Sequence, residues 1–161
     1  MAQVGRWLSI AGSVVLFDQL SKSLVMASLD YGDRVSVLPF FSWVRWHNEG
    51  AAFSMFAGGG GWQRWLFIAL AIGFSIFIVT ELRRLSPGKW LMGLGYALIM
   101  GGALGNMVDR VRLEYVVDFV LVHYGSYYFP AFNVADAALS IGAALWLYAT
   151  WREARLEKAG V

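Results

Sequence analysis

Four long apolar blocks dominate the pattern of hydrophobic and polar positions along the chain. Each is close to the roughly 20 residues that a helix needs to cross a hydrocarbon core of about 30 Å. The blocks occupy approximately residues 7–27, 62–80, 90–108 and 133–151. We therefore predict an all-α polytopic membrane protein with four transmembrane helices, folded as a single membrane domain over residues 1–161.

The segment between the first two blocks has a different pattern. Residues 34–38 alternate between polar and apolar positions, and several aromatic residues follow them. Alternation at period two is typical of a half-buried strand. We predict a small extracytoplasmic β-cradle at about residues 33–57, between helices 1 and 2, lying against the membrane surface. Tryptophans in such a position suit an interfacial aromatic belt, and the candidates are Trp43, Trp46, Trp62 and Trp65.

Basic residues indicate how the chain is oriented. They lie before the first block, in the short linker between the second and third blocks, and after the fourth block: Arg6, Arg83, Arg84, Lys89, Arg152, Arg155 and Lys158. Short basic segments are retained in the cytoplasm. We therefore expect both termini to be cytoplasmic and the segments at about 28–61 and 109–132 to lie outside.

Composition narrows the possible classes of function. Hydrophobic residues make up 58% of the chain and charged residues 15%, whereas soluble domains carry about 25% charged residues. The net charge is only +2 and the basic residues are scattered, so we expect no nucleic-acid partner. With no cysteine and only two histidines, thiolate catalysis is excluded, and we predict neither a metal site nor a cofactor.

Polar residues inside the predicted spans lie in one layer. At about 1.5 Å rise per residue, Lys22, Asn106 and Asp136 each lie roughly 22–25 Å from the cytoplasmic end of their span, and Asp18 lies about 16 Å from it. Charges at the centre of a bilayer are costly and usually functional. Transporters and channels need a polar route or a midplane site, so a one-sided layer favours an enzyme or receptor that takes its ligand from lipid.

The charged residues of the first and third spans allow structural and catalytic interpretations. Asp18 and Lys22 are four residues apart and can form an ion pair on one helix face. Alternatively, a desolvated lysine could activate a serine, either Ser21 or Ser54, as in a serine–lysine protease. In the third span, the spacing allows three polar side chains to share one face: Asn106, Asp109 and Arg110.

Two further acids suggest another chemistry. Asp118 is a lone carboxylate in an apolar run that predicts a strand or a buried loop, and Asp136 follows Asn133 at the spacing of a capping box. Two carboxylates held close together share one proton, so that one can activate water while the other polarises a carbonyl. This arrangement would give an aspartyl peptidase. A protein that binds without cleaving remains an alternative.

Five ordered motifs resemble those of the lipoprotein signal peptidase family, also called signal peptidase II, which are intramembrane aspartyl peptidases. The resemblance covers most of the chain outside the termini, the cytoplasmic turn and the glycine run at 58–61. The motifs are Asp18-Gln19-Leu20-Ser21-Lys22, Asn48-Glu49-Gly50-Ala51-Ala52-Phe53-Ser54, Gly101-Gly102-Ala103-Leu104-Gly105-Asn106 with Asp109-Arg110, Val117-Asp118-Phe119, and Phe132-Asn133 with Ala135-Asp136.

The resemblance implies a function and a site. It implies removal of the signal peptide from diacylglyceryl-modified prolipoproteins just before the lipidated cysteine, in the bacterial cytoplasmic (inner) membrane near its periplasmic face. It also implies contact with membrane lipid and inhibition by the cyclic peptide globomycin. The catalytic pair would be Asp118 and Asp136. The supporting or substrate-binding residues would be Asp18, Lys22, Asn48, Gly50, Asn106, Asp109, Arg110, Asn133 and Ala135.

Overall fold

The computed structural model describes residues 2–50 and 60–159 of the chain. Four long helices account for most of these residues: α1 Ala2–Ser28, α2 Trp62–Arg84, α3 Trp90–Leu113 and α4 Val134–Ala159. Each extends beyond the C-terminal end of its predicted apolar block, because the polar and charged residues there continue the helix. Ser54 and residues 51–57 of the predicted cradle lie outside the described residues.

Within the described part of the chain, four helices are long and apolar enough to cross a membrane. Their outward surfaces carry large apolar side chains, among them Phe17, Leu24, Phe74 and Ile76, each more than half exposed. Such side chains would be unfavourable in water over so wide a surface. Lipid is therefore the solvent of the helices, and the predicted multi-pass membrane architecture is confirmed.

Helix α3 lies at the centre of the bundle and packs against the other three helices. Glycines make this close packing possible. A Cβ atom on Gly102 would lie 2.4 Å from the carbonyl oxygen of Ala135 in α4, and one on Gly101 would lie 2.8 Å from the carbonyl oxygen of Ala11 in α1. Small residues allow helix backbones to approach in a membrane. The close approach brings the start of α4 against α3, where the polar side chains lie.

An antiparallel sheet lies beside the ends of the helices. In the described residues its strands are β1 Arg34–Leu38, β2 Phe41–Asn48, β3 Val116–Tyr124 and β4 Tyr127–Tyr128, paired in the order β1-β2-β3-β4. The predicted sheet between helices 1 and 2 is confirmed by β1 and β2. The sheet is larger than predicted, because β3 and β4 come from the segment between α3 and α4.

Strand β3 is held along both edges. One edge pairs with β2, and the other exchanges backbone hydrogen bonds with Phe132, whose N–H donates to the Val120 carbonyl at 3.0 Å and whose carbonyl accepts from the Val120 N–H at 2.8 Å. Phe132 lies just before the start of α4. The backbone of β3 is thereby fixed relative to the first turn of that helix.

Substitution of Gly102 by alanine should destabilise the bundle. The added methyl group would overlap the Ala135 carbonyl of α4, and overpacking of this kind typically costs about 1–3 kcal/mol. Thermal unfolding in detergent would measure the loss. Gly73→Ala is the matched control, because a Cβ there meets nothing within 4 Å; equal melting temperatures for the two variants would contradict the proposed packing role.

Candidate active site

Asp118 is a buried carboxylate on strand β3. Its side chain accepts two amide hydrogen bonds: the Asn133 Nδ2 atom donates to Oδ1 at 2.8 Å, and the Asn48 Nδ2 atom donates to Oδ2 at 3.1 Å. The Asn48 amide is itself oriented, because its Oδ1 atom accepts from the Gly50 N–H at 3.0 Å. The sequence allowed a strand or a loop around Asp118. The structure has a strand there, and the Asp118 side chain is hydrogen-bonded.

Asp136 lies in the first turn of α4. The Asp136 N–H donates to Asn133 Oδ1 at 2.9 Å, and Asp136 Oδ2 accepts from the Asn133 N–H at 3.2 Å. This reciprocal pair is a capping box, so the predicted N-cap role of Asn133 is confirmed. The remaining oxygen, Asp136 Oδ1, accepts from Asn106 Nδ2 at 2.7 Å. The capping carboxylate therefore also contacts α3 through this oxygen.

Asn133 connects the two acids. Its side-chain amide donates to Asp118, while its backbone N–H donates to Asp136. A single residue thus contacts both carboxylates, and all four carboxylate oxygens accept a hydrogen bond from an asparagine. The sequence-predicted pair is therefore brought into one hydrogen-bonded network, although its members come from a strand and a helix.

The surroundings favour the neutral form of Asp118. Burial, together with the neighbouring Asp136 carboxylate, raises the pKa of the Asp118 carboxyl to about 7, while the amide donors of Asn48 and Asn133 act in the opposite direction. A carboxyl group with such a pKa holds its proton mainly below about pH 7. One member of the pair can therefore be an acid at a pH at which an exposed aspartate is ionised.

A buried ion cluster lies directly behind the pair. The Lys22 ammonium contacts Asp18 Oδ2 at 2.8 Å and Asp109 Oδ2 at 2.9 Å, and it donates to Asn106 Oδ1 at 3.0 Å. The exposed fractions of Lys22, Asp18 and Asp109 are 1%, 0% and 3%. The predicted ion pair between Asp18 and Lys22 is confirmed, and Asp109 of α3 completes it.

This cluster positions the Asn106 amide. Because Asn106 Oδ1 accepts from Lys22, its Nδ2 atom is left to donate to Asp136. The cluster also binds backbone at the site: Asp18 Oδ1 accepts from the Ala135 N–H at 2.9 Å, and Asp109 Oδ2 accepts from the Val117 N–H at 3.1 Å. The cluster thereby joins α1, α3, β3 and α4 around the two acids.

The serine–lysine alternative finds no support at Ser21. Its Oγ atom donates to the Asp18 carbonyl at 2.8 Å, while the Lys22 ammonium is bound to two carboxylates. A lysine held in this way is not available as a base for a hydroxyl group. Ser54, the second candidate serine, lies outside the described residues.

Arg110 connects the end of α3 to the cradle and to α2. Its Nη2 atom donates to the Gly50 carbonyl at 2.7 Å, its Nη1 atom donates to the Asn106 carbonyl at 3.3 Å, and its guanidinium lies 4.6 Å from the centre of the Phe67 ring. The predicted common face of Asn106, Asp109 and Arg110 turns inward. Arg110 therefore fixes the end of β2 that presents Asn48.

Gln19 is a residue of the site that sequence reasoning did not include. Its Nε2 atom donates to Asp109 Oδ1 at 2.8 Å, and to Asp18 Oδ2 and the Gly105 carbonyl at 3.2 Å each. It therefore supports the same carboxylates that neutralise Lys22. The sequence did contain one signal for Gln19, an amide side chain within a transmembrane span. Its contacts with α3 could not be inferred, because the spacing within α1 says nothing about the neighbouring helix.

Residues 10–152 match the family model described as Signal peptidase (SPase) II. The chain belongs to the signal peptidase II family. It is 44% identical over 153 residues to the lipoprotein signal peptidase of Shewanella sp. strain MR-4, covering 95% of this chain and 90% of the relative. It is 43% identical to that of Teredinibacter turnerae, covering 96% and 92%. The resemblance inferred from the motifs is confirmed, and the family assignment makes the chain a peptidase.

Two solved structures share its architecture. Both are described as bacterial membrane enzymes determined by the in meso method. The first, at 2.3 Å resolution, has a TM-score of 0.83 and 32% identity over 93% of this chain and 90% of its own. The second, at 1.9 Å resolution, has a TM-score of 0.76 and 33% identity over 91% and 92%. These similarities support a multi-pass membrane enzyme of bacterial type.

Replacing Lys22 by methionine should strongly destabilise the protein. The change leaves Asp18 and Asp109 buried without their cation, and breaking a buried pair in this way typically costs about 3–5 kcal/mol. Unfolding in detergent would measure it. Lys89→Met is the control, because the Lys89–Glu153 pair is exposed and pairs of this kind contribute about 0–1 kcal/mol. Similar losses in both variants would contradict the structural role of Lys22.

Proposed function

We propose that this chain is an aspartyl endopeptidase that removes the signal peptide from diacylglyceryl-modified bacterial prolipoproteins, cutting just before the lipidated cysteine. The observation that carries the proposal is the pair Asp118 and Asp136, which share Asn133 as a hydrogen-bond donor at the end of an apolar helix bundle. Prolipoproteins as the substrate class are supported by the relatives, which are named lipoprotein signal peptidases.

The proposed reaction uses the two carboxyl groups in different protonation states. The ionised member takes a proton from a water molecule, whose oxygen attacks the scissile carbonyl carbon, while the protonated member donates to the carbonyl oxygen. Collapse of the tetrahedral intermediate breaks the carbon–nitrogen bond: a hydroxyl group of the intermediate returns its proton to the acid that had donated to the carbonyl oxygen, and the leaving amine takes the proton that the other acid had removed from water. Water is consumed, and both carboxyl groups return to their starting states.

The contacts of the two acids suggest which one carries the proton at the start. Asp136 accepts from the side-chain amide of Asn106, whose Oδ1 atom is bound by the Lys22 ammonium; this polarised donor favours a carboxylate. Asp118 accepts from the neutral amides of Asn48 and Asn133 and is buried. In the proposed cycle Asp136 therefore activates water and Asp118 begins protonated.

The whole chain, residues 1–161, acts in this proposal as one domain in the bacterial inner membrane. Its termini and the basic turn between α2 and α3 face the cytoplasm, so the dyad lies near the periplasmic surface. The substrate enters from membrane lipid, where its acyl chains remain between helices. A cyclic peptide such as globomycin would inhibit by occupying the dyad. Nucleic acid and cofactors have no part in the reaction.

Conversion of either dyad acid to asparagine should abolish cleavage. Asp118→Asn and Asp136→Asn keep the size of the side chain but remove proton transfer, which typically contributes about 10²- to 10⁴-fold to rate. Turnover of a lipidated prolipoprotein by purified variants in lipid vesicles would measure it. Normal cleavage by either variant would refute the dyad.

The same assay distinguishes the alternatives. A Ser54→Ala variant should cleave normally; its inactivity, together with activity of both aspartate variants, would revive the serine–lysine mechanism. The unmutated protein should release the signal peptide as a separate product. Retention of an uncut substrate by the unmutated chain would instead indicate a binding protein.

The turnover rate should fall as pH rises through about 7. Because the pKa of Asp118 is raised to about 7, the pair keeps its shared proton below that pH and loses it above, which removes the acid. Asn48→Leu deletes a donor that favours ionised Asp118. The fall in turnover rate on the alkaline side of the pH profile, which is the alkaline limb, should therefore move to higher pH. The exposed Tyr124→Phe variant is the control. An unchanged limb in Asn48→Leu would assign that titration to another group.

A further inference from the structure

Trp46 lies directly across the strand pair from Asp118. In the register of β2 and β3, Trp46 is the partner of Asp118, followed by His47 with Val117 and Asn48 with Val116. Residues directly opposite in an antiparallel pair project to the same face of the sheet, with Cβ atoms about 4.5–5.5 Å apart. The Trp46 indole and the Asp118 carboxyl therefore share one face.

The neighbours of Asp118 along β3 and on the side of α4 are less exposed than Trp46. Along β3, Val116 is buried and Val120 is bonded to Phe132. On the side of α4, Asn133 is fully buried and donates to Asp118 itself. Trp46, by contrast, is 38% exposed. Among these neighbours, Trp46 therefore offers the most exposed side chain beside the carboxyl group.

Trp46 differs from the other tryptophan of β2. Trp43 is equally exposed, at 39%, but its ring packs edge-on against Phe41 at 4.7 Å and lies 5.9 Å from Phe119. In the described residues no hydrogen bond, cation–π contact or ring contact involves the Trp46 side chain. A large apolar surface without these contacts, next to a reactive carboxyl group, is available to a substrate.

We propose that the Trp46 indole forms the wall of the dyad that contacts the substrate side chain preceding the scissile bond and limits the size of that side chain. This inference rests on the proposed function and adds a specificity-determining residue to it. The indole packs against a small side chain at this position. A branched side chain there would overlap the ring and displace the scissile carbonyl from Asp118, which lowers kcat/KM.

Two lipidated substrates that differ in one residue test this role. They carry alanine or leucine immediately before the lipidated cysteine, and kcat and KM are measured for each in lipid vesicles. The unmutated protein should prefer alanine. Trp46→Ala should reduce the alanine-to-leucine ratio of kcat/KM by roughly tenfold, the scale of discrimination that apolar pockets achieve. Trp46→Phe should retain most of the preference, since a ring still occupies the wall.

Trp43→Ala is the matched control, with an equally exposed tryptophan removed from the same strand. It should change the rates for both substrates by the same factor, as would any loss of membrane anchoring. If Trp46→Ala fails to fold, Trp46→Leu supplies the comparison. If the unmutated protein cleaves but a folded Trp46 variant keeps the same alanine-to-leucine ratio of kcat/KM, the role of Trp46 is refuted and the proposed function is not. Failure of the unmutated protein to cleave either substrate overturns the proposed function.

Discussion

The neutralisation of Lys22 by Asp18 and Asp109 is the interaction on which the site depends. A lysine ammonium buried to 1% exposure in an apolar bundle is tolerable only if its charge is compensated within hydrogen-bonding distance. Here the compensation comes from two carboxylates on two different helices. Each carboxylate also accepts a backbone N–H from an element that carries one of the proposed catalytic acids. Charge pairing in the bundle therefore holds the start of β3 and the first turn of α4 against α1 and α3.

From this cluster outward, asparagines direct the hydrogen bonds. Asparagine has a donor and an acceptor on one rigid amide, so fixing one end determines what the other end offers. Asn106 is fixed by Lys22, Asn48 by Gly50, and Asn133 by the capping of α4. In each case the side-chain oxygen accepts a hydrogen bond, and the side-chain nitrogen donates to Asp118 or Asp136. The two carboxyl groups are therefore surrounded by donors of fixed direction, and in the described residues no side-chain cation lies at hydrogen-bonding distance from either.

Much of this arrangement could be predicted from sequence because it depends on local spacing and depth. The four spans follow from hydropathy, the Asp18–Lys22 pair from a four-residue interval, and the capping role of Asn133 from its distance to Asp136. The pairing of β2 with β3 could not be predicted, since its partners are separated by two transmembrane helices and neither strand specifies the register. The role of Gln19 and the position of Trp46 beside Asp118 depend on that tertiary arrangement. The apolar run around Asp118 therefore left strand and loop equally acceptable.

The long-range nature of the site has a consequence for how the protein is made. Asn48 and Asp118 are 70 residues apart, and Asp18 and the Ala135 N–H are 117 residues apart. Helices that enter the membrane in the order of synthesis would bring in α1 and the cradle well before β3 and α4 exist. The two acids then meet only when the last helix docks. With the proposed dyad, proteolytic activity would arise as the final event of assembly, because a chain truncated before α4 holds only one of the two proposed catalytic acids.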